Sequence, residues 1–344
     1  MLVWIAVGVV ALLVLVALGL TWFAVSTASA RNAPERVVDA YLSAVVDGHV
    51  EDAVAMAGGA PKGALPDLLT DEAYAAATDR VTGYTISSAG IDDSGATVVA
   101  TIQQGGDEYS QAFRLSRDGK EALFVDRWAL DPIDFGYLTV AFDGPAGDNV
   151  SVDGTPIDAS VNDILSRPLP AFPGTYVVSS SSADGKLQFA DDSVTVAGFS
   201  ADADGGEADS VIAATLTADG EAAGQAAAAG WLDACVAQPV LAPLGCDFYG
   251  ETNDGETVTD IVWTIESRPT FTIGAWTADG WEVIPASGGK IYADGNYSLP
   301  SGEYGTVRYT LSNYAYGGYL NIVDGVMTFT FEGSNSGSGG GINS

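Results

Sequence analysis

Histidine is nearly missing: His49 is the only one in 344 residues. A hydrolytic triad or an imidazole-based zinc site would depend on that one side chain. Cysteine is almost as scarce, with Cys235 and Cys246 alone and no His or Cys partners to complete a zinc site. Positive charge is short too. The chain sets 13 Lys and Arg against 45 Asp and Glu, a formal net charge of −32. A chain so acidic repels phosphate backbones and anionic headgroups, which excludes a nucleic-acid role. No Gly-x-Ser-x-Gly elbow, phosphate loop, His-Glu-x-x-His motif or dinucleotide fingerprint occurs. These gaps together predict a non-catalytic protein with no cofactor.

What is present begins with an apolar run. Leu2 to Val25 carries no charge, and the first charged residue is Arg31. A helix of about 20 apolar residues spans a bilayer core. Residues 1–30 are therefore expected to be a retained transmembrane anchor or a signal peptide cleaved after Ala30. Ala28-Ser29-Ala30 has the small-x-small form of a cleavage site. The run is longer than the about 7–15 residues of a signal core and no basic leader precedes it, which favours the anchor. Arg31 and Arg36 follow the run and pull toward a cytoplasmic remainder, but long domains translocate largely regardless of charge.

The cysteines bear on orientation. Ten residues separate Cys235 from Cys246, and Pro239, Pro243 and Gly245 make that interval a loop. The pair reads as a structural disulfide in an oxidising compartment. The alternative is two buried free thiols in a cytosolic domain. On the first reading the chain is a single-pass cell-membrane protein with its C-terminal part extracytoplasmic, or a secreted protein if cleaved at Ala30.

Turn signals and periodicity divide the remainder, and the expected class is α+β, mostly β. Residues 32–130 read as helices followed by an antiparallel meander. Val37, Val38, Tyr41, Leu42, Val45 and Val46 form one helical face, stopped at Asp47-Gly48. Shorter helices are expected near 50–57 and 71–78, then strands near 84–88, 97–103, 109–116 and 122–129. Residues 131–200 read as a small β-sandwich-like module with a hairpin at Asp153-Gly154. Residues 201–209 read as an acidic linker. Residues 210–333 read as a β-rich domain with one Ala-rich helix over 221–237, and 334–344 as a flexible tail.

Two resemblances rest on particular residues. Glu35-Arg36-Val37-Val38-Asp39-Ala40-Tyr41-Leu42, the Asp47-Gly48 stop and the Trp128 strand resemble the nuclear transport factor 2-like, or SnoaL-like, cone fold. That resemblance implies a pocket between helices and curved sheet, used by some members for catalysis. Val150-Ser151-Val152-Asp153-Gly154, followed by Phe172-Pro173-Gly174-Thr175-Tyr176-Val177-Val178, resembles PEGA-like repeats. It also resembles the extracytoplasmic domains of the teicoplanin-resistance-associated membrane protein family. These resemblances imply an actinobacterial envelope protein with one membrane helix and small tandem domains.

Three sets of residues are candidates for chemistry. His49 beside Asp47 is the one acid–base candidate near the cone pocket, although a turn histidine is commonly solvated or a cap. Asp202, Asp204, Glu207 and Asp209 could offer oxygens to calcium, against the reading as a solvated linker. Tyr314, Tyr316 and Tyr319 could form a ligand surface for sugars or peptides, with Tyr314 and Tyr316 expected in an exposed loop. The function expected is recognition or scaffolding on the wall side of the envelope. The partners would be the membrane, through the anchor, and cell-wall glycan or peptide or envelope proteins. The alternative is a small-ligand binder or cryptic enzyme using a pocket in residues 32–130. The sequence leaves the oligomeric state open.

Overall fold

The computed structural model describes residues 33–121, 125–199 and 206–332. The apolar run of residues 1–30, residues 122–124, Asp202, Asp204 and the tail 334–344 lie outside these. Among the described residues no helix is long and apolar enough to cross a membrane.

The chain is mostly β, with its first helices where periodicity places them. α1 (Pro34–Asp47) opens on a proline, whose missing N–H would be unbonded there anyway, and carries Glu35 in its first turn. Val38, Tyr41, Leu42 and Val45 form its buried stripe. Gly48, at φ 81°, closes the helix in the left-handed conformation. α2 (Val50–Met56) and α3 (Asp71–Ala76) follow, and Thr70 caps α3 by accepting from Ala73 N. β1 (Val81–Ile91), β2 (Ala96–Gln104), β3 (Asp107–Glu121) and β4 (Val125–Leu130) then form an antiparallel sheet in chain order. β2 shows the alternation that fixes its face: Ala96, Val98, Ala100 and Ile102 are buried, while Thr97 and Gln103 are exposed.

Shorter elements follow: β5 (Gly136–Asp143), β6 (Asn149–Val152), β7 (Thr155–Pro156), α4 (Val161–Ser166), β8 (Leu169–Ala171), β9 (Gly174–Ser181), β10 (Leu187–Phe189), β11 (Asp192–Val196) and β12 (Glu207–Leu216). The expected hairpin at Asp153-Gly154 joins β6 to β7. Asp153 also clips the turn to β9. Its N–H donates to Val177 O at 2.8 Å, and its Oδ1 accepts from Val177 N at 3.0 Å. α4 is short and capped by Ser160, whose Oγ accepts from Asp163 N at 3.2 Å and donates to Asp163 Oδ2 at 2.5 Å.

Two compact units divide the described residues, and neither is one continuous stretch. The first runs to Ala141 and adds Asn149–Ser180 and Asp191–Ile212; the second takes Phe142–Asp148, Ser181–Ala190 and the residues from Ala213 on. The modules expected at 32–130 and 131–200 thus share a core instead of following one another. The reason is aromatic: Tyr41 meets Phe113 at 5.7 Å and Phe199 at 5.8 Å between ring centroids, and Phe172 meets Phe199 at 6.4 Å. The linker at 201–209 also needs correction at its end. Glu207 and Asp209 belong to β12, where Ala208, Ser210, Ile212 and Ala214 are buried and the carboxylates alternate outward.

The second unit is built on α5 (Ala218–Val236), capped by Thr217 Oγ1 accepting from Gly220 N. Gly220, Gly224, Ala228, Leu232 and Cys235 form its buried stripe. Small residues let strands come close: a Cβ on Gly224 would lie 2.5 Å from Leu320 Cδ1. Seven strands follow: β13 (Thr257–Ser267), β14 (Thr270–Thr277), β15 (Gly280–Ser287), β16 (Gly289–Ser298), β17 (Tyr304–Tyr314), β18 (Gly318–Val323) and β19 (Val326–Phe331). They form one sheet in the order β13-β16-β17 and another in the order β14-β15-β18-β19. Cys235 and Cys246 are disulfide-bonded, tying the end of α5 to the following loop. Trp231 Nε1 donates to Gly245 O and Trp263 Nε1 to Val240 O, at 3.3 and 2.8 Å, so the loop is held at several points.

Candidate functional site

The residues nominated by sequence are dispersed. His49 is exposed in the turn before α2, its Nδ1 3.7 Å from Asp71 Oδ2. Asp47, its sequence neighbour, instead accepts from Ser43 Oγ at 3.3 Å. Asp209 Oδ1 accepts from Thr139 Oγ1 at 2.5 Å. Among the described residues no group of three or more His, Cys, Asp or Glu could hold a metal ion.

The tyrosines correct the expectation of an exposed loop. Tyr314 and Tyr316 are 8% and 3% exposed, and only Tyr319, in β18, is half-buried. Tyr314 Oη donates to Asp247 Oδ1, and Tyr316 Oη donates to Ala228 O at 2.8 Å. Tyr316 also packs on Trp231, ring centroids 4.8 Å apart. With their hydroxyls paired inside, these rings serve the core. Burial and the Asp247 carboxylate push the Tyr314 hydroxyl far above the usual phenolic range. Burial also raises Asp247, against the hydrogen bond that lowers it.

The space between α1 and the meander, where a cone-fold pocket would lie, holds side chains. Tyr41, Phe113, Phe172 and Phe199 are fully or almost fully buried in one cluster with Val98, Ala100 and Leu115. Tyr41 Oη has no hydrogen-bond partner among the described residues, and burial pushes it well up.

A better candidate lies in the second unit. A cleft of about 350 Å³ is lined by Asp143, Ala213–Leu216, Glu221, Ile273–Trp276 and Trp281, within the size range of small-ligand sites. Its aromatic wall comes from the β14–β15 hairpin. Trp276 and Trp281 are direct cross-strand partners, so their rings meet edge to face at 4.6 Å and 69°. Thr277 Oγ1 donates to Gly280 O at 2.9 Å, and Asn321 Nδ2 donates to Asp279 O at 2.7 Å, pinning the turn. Gly280 stands at φ 127°, and a Cβ there would lie 2.4 Å from Leu320 O. The turn therefore demands glycine.

Trp281 is 3% exposed and Trp276 half-buried. The indoles of Trp231 and Trp263 donate to carbonyls, but those of Trp276 and Trp281 have no hydrogen-bond partner among the described residues. Leu216, Ile273 and the alanines supply an apolar floor, and exposed Asp143 and Glu221 supply carboxylates. Neither carboxylate is in an ion pair among the described residues. Sequence reading missed this cleft, although Trp276-Thr277-Ala278-Asp279-Gly280-Trp281 is a hairpin turn flanked by tryptophans. No family model matches the chain, and neither does any curated protein or solved structure.

Proposed function

We propose that the chain is a non-catalytic, membrane-anchored, extracytoplasmic protein of the cell envelope that recognises or scaffolds partners on the wall side. The observation that carries this is the filled interior of the first unit. Tyr41, Phe113, Phe172 and Phe199 occupy the space that a cone-fold enzyme or ligand carrier keeps open. An acid–base enzyme there would also need paired groups in reach of a substrate, and His49 and Asp71 face solvent instead. The Cys235–Cys246 disulfide supports an oxidising compartment. The apolar run of residues 1–30 supports the anchor. The resemblances to the nuclear transport factor 2-like fold and to the teicoplanin-resistance-associated family support the same topology.

Intact cells producing the full chain, treated with a membrane-impermeant maleimide with and without reductant, test the compartment. Labelling of Cys235 and Cys246 is expected only after reduction, without lysis. Thiols that react without reductant, and only in lysed cells, overturn the extracytoplasmic reading. Sedimentation of the purified chain with wall fragments tests the partner. Retention at low salt is expected, and its absence counts against wall recognition.

A further inference from the structure

We propose that copies of this chain associate head to tail, the Leu244 turn of one second unit seating in the Trp276–Trp281 cleft of the next. The turn differs in charge from the rest of the chain. No charged residue lies between Asp233 and Asp247, in a sequence with 45 Asp and Glu. Leu244 is 89% exposed and Val240 45%. Leu244 stands at the corner of a turn that Cys246 N closes by donating to Pro243 O at 3.4 Å, with Gly245 in the third position at φ 77°. Leu244 N donates to Gln238 Oε1 at 2.8 Å, and Gln238 Nε2 donates back to Leu244 O at 3.1 Å. Trp231 Nε1 donates to Gly245 O, and the Cys235–Cys246 disulfide fixes the base. The carbonyls of Pro243, Leu244 and Gly245 are thus all bonded within the protein, so covering the turn strands none of them. A leucine presented on so fixed a backbone loses little entropy when a protein pocket takes it. A lipid surface gains nothing from that rigidity, and the net charge of −32 repels anionic headgroups.

The cleft supplies the matching half. Leu216, Ile273 and the half-buried ring of Trp276 offer apolar surface to a leucine. Asp143 and Glu221 at the same cleft repel any acidic segment, which rules out much of this chain's surface as an occupant. The uncharged turn enters without bringing like charges together. Turn and cleft also lie at opposite ends of one helix. Glu221 is in the first turn of α5 and Cys235 in its last, about 21 Å apart at about 1.5 Å per residue. A chain therefore cannot fill its own cleft with its own turn. A contact between two different patches of identical copies is heterologous, and it propagates unless it closes into a ring. One turn in one cleft buries less than a standard interface, so the association is weak. Two copies of net charge −32 repel each other at long range, so salt strengthens it.

The proposal goes beyond wall recognition and does not depend on it. The test is sedimentation velocity of the purified full chain in detergent, over a range of concentration and salt. Species larger than a dimer are expected to grow with concentration, and more so at high salt. Leu244→Asp changes an exposed side chain; it is expected to weaken association at least tenfold with unchanged circular dichroism. Trp276→Ala is expected to weaken it as well. Mixing the two variants is the decisive arm, because one keeps the cleft and the other keeps the turn. The mixture is expected to form one-to-one dimers and nothing larger. A benzophenone amino acid in place of Leu244, in the otherwise unaltered chain, is expected to crosslink to the cleft residues of a second copy.

A chain that stays monomeric at every concentration and salt overturns the proposal. So does association that Leu244→Asp leaves unchanged, as contact through the apolar run of residues 1–30 would be. Association lost in Leu244→Asp but not restored by mixing means that two turns meet each other, and the cleft is then not the socket. Crosslinks from position 244 only to detergent, or to another face of the second copy, also sink it.

Discussion

Both units bury aromatic rings in a core, but only the second also sets a pair of indoles beside an open cleft. In the first, rings close a space: Tyr41, Phe113, Phe172 and Phe199 meet one another between α1 and the meander. In the second, Trp276 and Trp281 meet each other and still line an open cleft. The contrast teaches that composition does not mark a binding surface. Tyr314 and Tyr316 sit in an aromatic, glycine-rich stretch and are buried, whereas a two-strand hairpin elsewhere leaves indole accessible. The difference lies in where the polar atoms go. Tyr314 and Tyr316 hydroxyls are paired inside the protein, and the indole N–H groups at the cleft are not.

Alkali should break both regions and has the largest effect. Burial pushes the hydroxyls of Tyr74 in the first unit and Tyr316 in the second up to about 12, from an ordinary value of 10.0. The folded state therefore holds these protons more tightly than the unfolded chain. Their contribution to stability is complete below pH 10 and is lost as pH rises through about 12. Tyrosinate absorbance and circular dichroism, followed together, should show the buried tyrosines ionising only as structure is lost. Complete ionisation with unchanged circular dichroism would contradict the buried placement.

Phe172→Ala separates the units. Phe172 is fully buried and touches Tyr74, Phe135 and Phe199. Its truncation should cost the first unit about 3–5 kcal/mol, read as a lower urea midpoint. Trp276→Ala, at a half-buried ring, should cost the second unit clearly less. Equal costs would mean that the cleft ring is as deeply packed as the closed core.

Much of the fold is legible because its signals are local. Pro34, the stripe Val38-Tyr41-Leu42-Val45 and Gly48 bound α1. Alternation places β2 within a residue at each end of the expected 97–103. Burial of the tyrosines was not legible because the partners are remote: Tyr314 reaches 67 residues back to Asp247, and Tyr316 reaches 88 back to Ala228. The cleft was hidden for the same reason, since Asp143, Glu221 and Trp276 come from separate segments. β12 was obscured differently. Its alternation of Ala208, Ser210, Ile212 and Ala214 was present, but the density of carboxylates around it read as a linker.

The disulfide gives the next effect in size. Cys235 and Cys246 are 11 apart in sequence, and in the chain-entropy model opening a loop of that length costs about 2–3 kcal/mol. The double variant Cys235→Ala with Cys246→Ala should lower the urea midpoint of the second unit and leave the first unchanged. Near-ultraviolet circular dichroism of the tryptophans follows the second unit, because Trp231 and Trp263 both hold the adjacent loop. A variant as stable as the parent would mean that those indole bonds hold the loop unaided.

The smallest expected effects give the sharpest comparison, because the same change is made to one tyrosine in each unit. Tyr314→Phe removes the donor to Asp247 and leaves a half-exposed-to-buried carboxylate already raised by burial without that partner. A lost bond to a charged group costs about 1.5–3 kcal/mol. Tyr41→Phe removes a hydroxyl that is buried and has no partner among the described residues. Its loss removes a desolvation penalty and no bond, so stability should stay within about 1 kcal/mol and move upward. Opposite signs in urea denaturation would confirm that one ring is held by its hydroxyl and the other only by its face. A Tyr41→Phe variant destabilised as much as Tyr314→Phe would show that Tyr41 has a partner after all, and the first unit would then contain a polar site at its centre.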